Sequence, residues 1–384
     1  MSSLEATVRI GVKHQVNCSR LEASTFGERM NSSTYSPAHK GQGEFQRIDF
    51  LDAIRGVAAL LVTIGHGLEF WWPGYLFWST QYFNVGRLGI TAFFVVSGYV
   101  IGLTLSRQTV RTFAIRRFWR LYPIYWLTTG LYVITSLATG SWAADYGLLV
   151  IAMNVTMIQG FFSMASLLTP AWTLGAELVF YIQSAAGKTA RMFEKSVWLG
   201  YVWLAIFAGF AILNAFTNSD FSGVSALMLF TSSLGFSVFL WDKNRNRHCF
   251  GLAATAVFLV PLLGAILLSH PGASGGWTPV AFAGSYIGGI MLFAGFYWMR
   301  KKAFPQFALW LGSISYALYL VHVSVFEWVN HFGPAHIWMV APATAVALLA
   351  AWLLHRYLEV PCVRFGRHLS QRAQYGQGSI RVPI

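Results

Sequence analysis

Residues 50–71 read FLDAIRGVAALLVTIGHGLEFW, an apolar run with Arg55 near its start and His66 near its end. As a helix rising 1.5 Å per residue, such a run is long enough to cross a hydrocarbon core roughly 30 Å thick. Comparable runs follow at 88–106, 119–138, 170–187, 196–216, 222–241, 250–269, 277–299, 306–330 and 337–357. The pattern predicts an all-α integral membrane protein: about ten transmembrane helices in one bundle enclosing a polar pore.

Composition agrees with that reading. Of 384 residues, 55% are hydrophobic and only 11% charged, against roughly 25% charged in an average soluble domain. Lys and Arg outnumber Asp and Glu 27 to 14, giving a formal net charge of +13. These cations sit in short loops between apolar runs, where they set orientation, so nucleic acid is excluded as a partner. Cys18, Cys249 and Cys362 lie far apart without metal-ligand spacing, which predicts reduced thiols, no disulfide framework and no metal site. Residues 1–46 are polar and lack apolar periodicity, as expected of a disordered tail. They lack the apolar core of a signal peptide, and Met30 is an alternative start. The membrane domain is expected at 47–365, with a second tail at 366–384.

The distribution of charge orders the spans. One side collects Arg107–Arg120, Lys188, Arg191 and Lys195, Lys243, Arg245 and Arg247, Arg300–Lys302 and the basic C-terminal stretch. By the positive-inside rule that side is cytoplasmic, and so are both termini. The rule holds only if 146–163, with Asn154 and Gln159 inside it, stays at the far face as a re-entrant or interfacial segment. Arg87 is the exception, a cation at the outer end of the second span that needs a partner or a ligand. No internal repeat suggests the inverted halves of a transporter.

Arg55 and His66 are eleven positions apart, which at 3.6 residues per turn puts both on nearly the same helix face. Along the axis they are separated by roughly 16 Å, a ruler that suits a phosphate-bearing thioester on a long flexible arm. Arg116, Arg117 and Arg120 place three guanidinium groups at the cytoplasmic interface, suited to phosphate; the plainer reading is a topology determinant that meets anionic lipid. Glu177, in the 170–187 span, is expected about 10 Å below the outer surface, at a depth comparable with His66 and His322. Ionisable groups at such depth read by default as a polar site. Glu177 is expected to orient His66 or the acceptor; the plainer reading is a hydrogen bond between helices.

Six segments together resemble the bacterial membrane acyltransferase 3 family. Arg55 and His66 match its R-x10-H motif, and Phe93–Tyr99 is similar to FFxxSGF. Arg116–Pro123 is similar to RRxxRxxP, and Trp172–Glu177 to WSLxxE. Gly312–His322 resembles GxxSYxxYLxH, and Glu359–Pro361 the ExP ending. Tyr99 stands where the family has Phe, and Thr173 where it has Ser. The matches span residues 47 to 365.

The resemblance implies an O-acyltransferase that modifies cell-surface or secreted glycans at a bacterial inner membrane. No permanently bound cofactor is implied, and acetyl-CoA is the expected co-substrate. His66 and Glu177 are the expected catalytic residues. Arg55, Ser97, Arg116, Arg117 and Arg120 are expected at the donor, with Arg87, Tyr316 and His322 completing the polar site. His66 could serve as general base on a hydroxyl or as a nucleophile forming an acyl-imidazole. Expected partners are acyl-CoA, a glycan or lipid-linked sugar, and membrane lipid; oligomeric state is unreadable. The competing classes are a proton-coupled transporter, for which intramembrane His and Glu are equally natural, and a structural partner in polysaccharide export.

Overall fold

The computed structural model describes residues 48–378, apart from 142–146, 163, 218, 220, 270–275 and 335. The expected tail at 1–46, with Met30 and Cys18, lies outside the described residues. Among the described residues every regular element is helical. In chain order these are α1 (Asp49–Trp71), α2 (Tyr75–Gln81), α3 (Val85–Arg107), α4 (Val110–Thr139), α5 (Leu148–Val155), α6 (Trp172–Thr189) and α7 (Leu199–Thr217). There follow α8 (Val224–Asn244), α9 (His248–Ala254), α10 (Val260–Leu267), α11 (Pro279–Trp298), α12 (Gln306–Phe332), α13 (Val340–Leu354) and α14 (Val360–Gly378).

Among the described residues, eight helical stretches are long and apolar enough to cross a membrane. The two expected spans outside that set are α4 and α6, of 30 and 18 residues. Arg117 and Arg120 of α4 and Glu177 of α6 reach the site, whereas Arg116 and Lys188 bond elsewhere. Large apolar side chains such as Phe216, Phe258 and Phe332 are exposed on the outer surface, whereas Thr231, Ser232, Ser285 and His322 are buried inside. That distribution suits a lipid surround. The chain is an all-α, multi-pass membrane protein.

Helices α1, α3, α8 and α12 form the centre, and glycines let their backbones touch. A β-carbon on Gly98 of α3 would lie 1.8 Å from the Ser232 carbonyl oxygen of α8, and one on Gly235 equally close to that of Val95. On the other flank, a β-carbon on Gly312 of α12 would lie 2.1 Å from the Asp52 carbonyl oxygen of α1. In lipid, where apolar burial drives no helix association, such contact replaces it.

The described residues of segment 146–163 hold the eight-residue α5 and a single 3-10 turn at Gln159–Phe162. Eight residues rise about 12 Å, too little to cross. Buried Asn154 organises the turn: its amide donates to the Val150 and Ala165 carbonyls and accepts from the Leu167 amide. Tyr125 of α4 closes the contact by donating to the Asn154 carbonyl at 2.5 Å. Two helices widen into π turns, Thr255–Leu259 and His355–Glu359. Pro261 and Pro361 stand two residues after these turns, each removing a donor and crowding the preceding turn.

Candidate active site

Cysteines 249 and 362 are free thiols. Two cavities, whose walls share Ile90 and Tyr319, collect a large part of the charged side chains inside the bundle. The first lies toward the end where α1, α4 and α12 begin and α3 and α6 finish, the basic face. Arg55 enters it from α1, Ser97 from α3, Arg117 and Arg120 from α4, Glu177 from α6 and Tyr316 from α12.

A hydrogen-bond network fixes that constellation. Ser97 donates its hydroxyl to Glu177 Oε1 at 2.8 Å, and Tyr181, one turn beyond Glu177, donates to the same oxygen. The Arg117 guanidinium lies 5.1 Å over the Tyr181 ring and 5.4 Å over that of Phe113. Arg55 makes a loose 3.8 Å pair with Asp52, and Arg120, Glu177 and Glu359 are the other charges acting on it. Tyr316 donates to the Leu121 carbonyl at 3.0 Å.

Arg116 does not join this cavity. Its Nε donates to Ser370 of α14 at 3.0 Å, so it ties α4 to the C-terminal helix. One step of about 100° around the helix separates its direction from that of Arg117.

The second cavity holds His66 and Glu69 of α1, Asn84 and Arg87 at the start of α3, Trp172 of α6 and Trp277 before α11. His66 Nδ1 and Glu69 Oε2 are 2.9 Å apart. An ionised carboxylate can only accept, so in the neutral imidazole Nδ1 carries the proton and Nε2 the lone pair. The His322 ring lies 5.3 Å from that of His66. Its Nδ1 lies 3.0 Å from the Leu318 carbonyl and donates to it, and its buried Nε2 has no hydrogen-bond partner among the described residues.

Glu177 therefore does not orient His66. Pro170 and Trp172 reach the His66 cavity, while Glu177 is five residues further along α6, about 7.5 Å deeper, and faces Ser97. Glu69 holds His66 instead. Its signal in the sequence is the spacing: three residues after His66 puts it on the same helix face. Tyr181 carried a similar signal, four residues after Glu177. Trp277 carried none, because a loop delivers it.

Tyr319 forms the shared wall. Its hydroxyl donates to the Pro170 carbonyl at 3.0 Å and lies 2.8 Å from the Thr173 hydroxyl, and Phe93 packs edge-on against its ring. Both departures from the family motifs have local partners. Thr173 anchors Tyr319, and Tyr99 donates to Asp242 of α8 at 2.9 Å, where Tyr297 of α11 also donates at 2.6 Å.

Two cavities back to back, one rich in guanidinium groups and one holding a carboxylate-bound imidazole, suit group transfer between ligands entering from opposite ends. Residues 48–356 match the acyltransferase 3 family, described as an acyltransferase domain. The chain belongs to that family.

Among acyltransferase 3 relatives, the exopolysaccharide production protein ExoZ of Rhizobium meliloti (strain 1021) is 26% identical over 313 residues, covering 75% of this chain and 92% of that one. Acyltransferase MdmB of Streptomyces mycarofaciens is 25% identical over 319 residues, covering 73% and 82%. A longer Staphylococcus aureus (strain MRSA252) protein that carries the name of an O-acetyltransferase is 24% identical over 395 residues, covering 90% of this chain and 63% of its own length. No solved structure matches the chain. Family and relatives together make this acyltransferase 3 member a membrane O-acyltransferase.

Proposed function

We propose that the protein takes an acetyl or other short acyl group from acyl-CoA at its basic face and transfers it to a hydroxyl of a glycan or lipid-linked sugar at the opposite face. The observation that carries this is the single face of α1. Arg55 opens into one cavity and His66 into the other, with Ile90 and Tyr319 common to both.

Arg55, Arg117 and Arg120 bind donor phosphates through charge-assisted hydrogen bonds. Glu177, held by the hydroxyls of Ser97 and Tyr181, balances those cations, and the three line the path of the flexible arm. His66 Nε2 accepts the proton of the acceptor hydroxyl as its oxygen attacks the thioester carbonyl. The carbon–sulfur bond breaks, and the departing CoA thiolate regains a proton from the imidazolium. Glu69 keeps the reactive tautomer and stabilises that imidazolium. No cofactor is held permanently; acyl-CoA is a co-substrate.

The name of ExoZ supports a polysaccharide acceptor. The basic loops support placement in a bacterial inner membrane with both termini in the cytoplasm. In proteoliposomes given labelled acetyl-CoA, CoA release should require both acceptor and His66. A folded His66→Ala variant that retained full activity would overturn the reading, and solute flux without CoA turnover would replace it with transport. Label trapped on the protein in the absence of acceptor would make His66 a nucleophile rather than a base.

A further inference from the structure

Arg87 is the cation in the His66 cavity that acyl transfer leaves without a task. Its guanidinium carbon lies 3.8 Å from the centre of the Trp277 ring, so one flat face is covered by indole and the N–H edges stay open. Among the described residues no hydrogen bond or ion pair reaches that guanidinium; the bonds at Arg87 involve its backbone. Glu69, the other charged group of the cavity, acts on it at longer range but is engaged by His66. A cation with five unmet donors inside a membrane protein is costly unless something completes it.

The cradle is set in advance. Trp277 is held by the segment around it: Gln81 donates to the Gly276 carbonyl at 3.0 Å, the Thr278 amide donates to the Thr80 carbonyl at 2.9 Å, and the Thr278 hydroxyl donates to the Gln81 carbonyl at 2.6 Å. Gly276 makes the turn at φ +81°, a backbone setting that favours glycine. The Asn84 amide, which enters α3 beside Arg87, donates to Ser285 of α11 at 2.8 Å.

We propose that Arg87, stacked on Trp277, is a subsite for an oxyanion carried by the acceptor beside the hydroxyl that is acylated. This rests on the reading that the acceptor enters the His66 cavity. A planar fork of donors matches the two oxygens of a carboxylate or phosphate, and indole stacking fixes its orientation. The oxyanion is either a sugar carboxylate, as in a uronate or pyruvate ketal, or the diphosphate of a lipid-linked sugar.

Binding to the full chain in nanodiscs of zwitterionic lipid, without acyl-CoA, tests this. The probes are a glucuronate oligosaccharide, its neutral glucose counterpart and farnesyl diphosphate. At least one anionic probe should bind about tenfold or more tighter than the neutral one. The preference should fall in Arg87→Lys and vanish in Arg87→Gln. Tighter binding of glucuronate assigns the sugar carboxylate; tighter binding of the diphosphate assigns the carrier. Indifference of the wild type to charge, which needs no variant to fold, would overturn the subsite, as would a preference untouched by Arg87→Gln. Anion binding without any acceptor-dependent CoA release would overturn acyl transfer while supporting the oxyanion subsite.

Discussion

At the scale of single residues, the site separates into side chains that act on ligands and side chains that hold them. His66→Ala should lower acyl transfer at least about a hundredfold, the scale of a lost general base, with the protein still monodisperse in detergent. Glu69→Gln keeps shape but removes the charge that steadies the imidazolium. It should lower kcat about tenfold or more, 1.4 kcal/mol in the barrier, and leave the KM for acyl-CoA unchanged, with Glu69→Asp recovering part of the loss. Steady-state kinetics in nanodiscs checks both, and equal effects on kcat and on that KM would make Glu69 merely structural. The arginines make a matched pair. Arg117→Ala should raise the KM for acyl-CoA about tenfold or more, as loss of a charge-assisted contact does, while Arg116→Ala, whose side chain bonds Ser370, should leave it within about twofold. If the two variants behave alike, the cavity assignment of Arg117 is wrong.

At the scale of helices, backbone contact sets tolerance. Gly98→Ala and Gly235→Ala drive a methyl into the facing carbonyls of α8 and α3 and should cost about 1–3 kcal/mol each, the scale of overpacking. Gly209 of α7 has nothing within 4 Å of its would-be β-carbon, so Gly209→Ala should be neutral. Thermal unfolding in detergent separates these outcomes; equal midpoints for all three would mean that α3 and α8 do not cross as described. Charge lowers the hydropathy of α6, whereas the charge-free stretch 121–138 of α4 is held down by its Tyr, Trp, Thr and Pro residues. Arg117 and Arg120 of α4 and Glu177 of α6 line the basic cavity.

At the scale of the molecule, the two cavities give the protein a direction. If the basic face is cytoplasmic, a thiol introduced as Lys301→Cys in a cysteine-free background should resist impermeant maleimide in intact cells. One introduced as Tyr82→Cys, an exposed position at the opposite face, should react. The reverse labelling pattern would invert the proposed route of the acyl group.

Membrane residence and most helix boundaries were legible in the sequence, because lipid obliges each crossing segment to be apolar over a full span and to satisfy its own backbone. The shared face of Arg55 and His66 was legible too, since helical periodicity alone decides it. Which side chains meet across helices was not. Glu177 turned to Ser97 and Tyr181 instead of His66, Arg116 bonds α14 outside the basic cavity, and Trp277 reached Arg87 from a loop. Those outcomes depend on how far one helix slides and rotates against the next. The close glycine contacts between α3 and α8 and between α1 and α12 set that register, and only the folded bundle contains it.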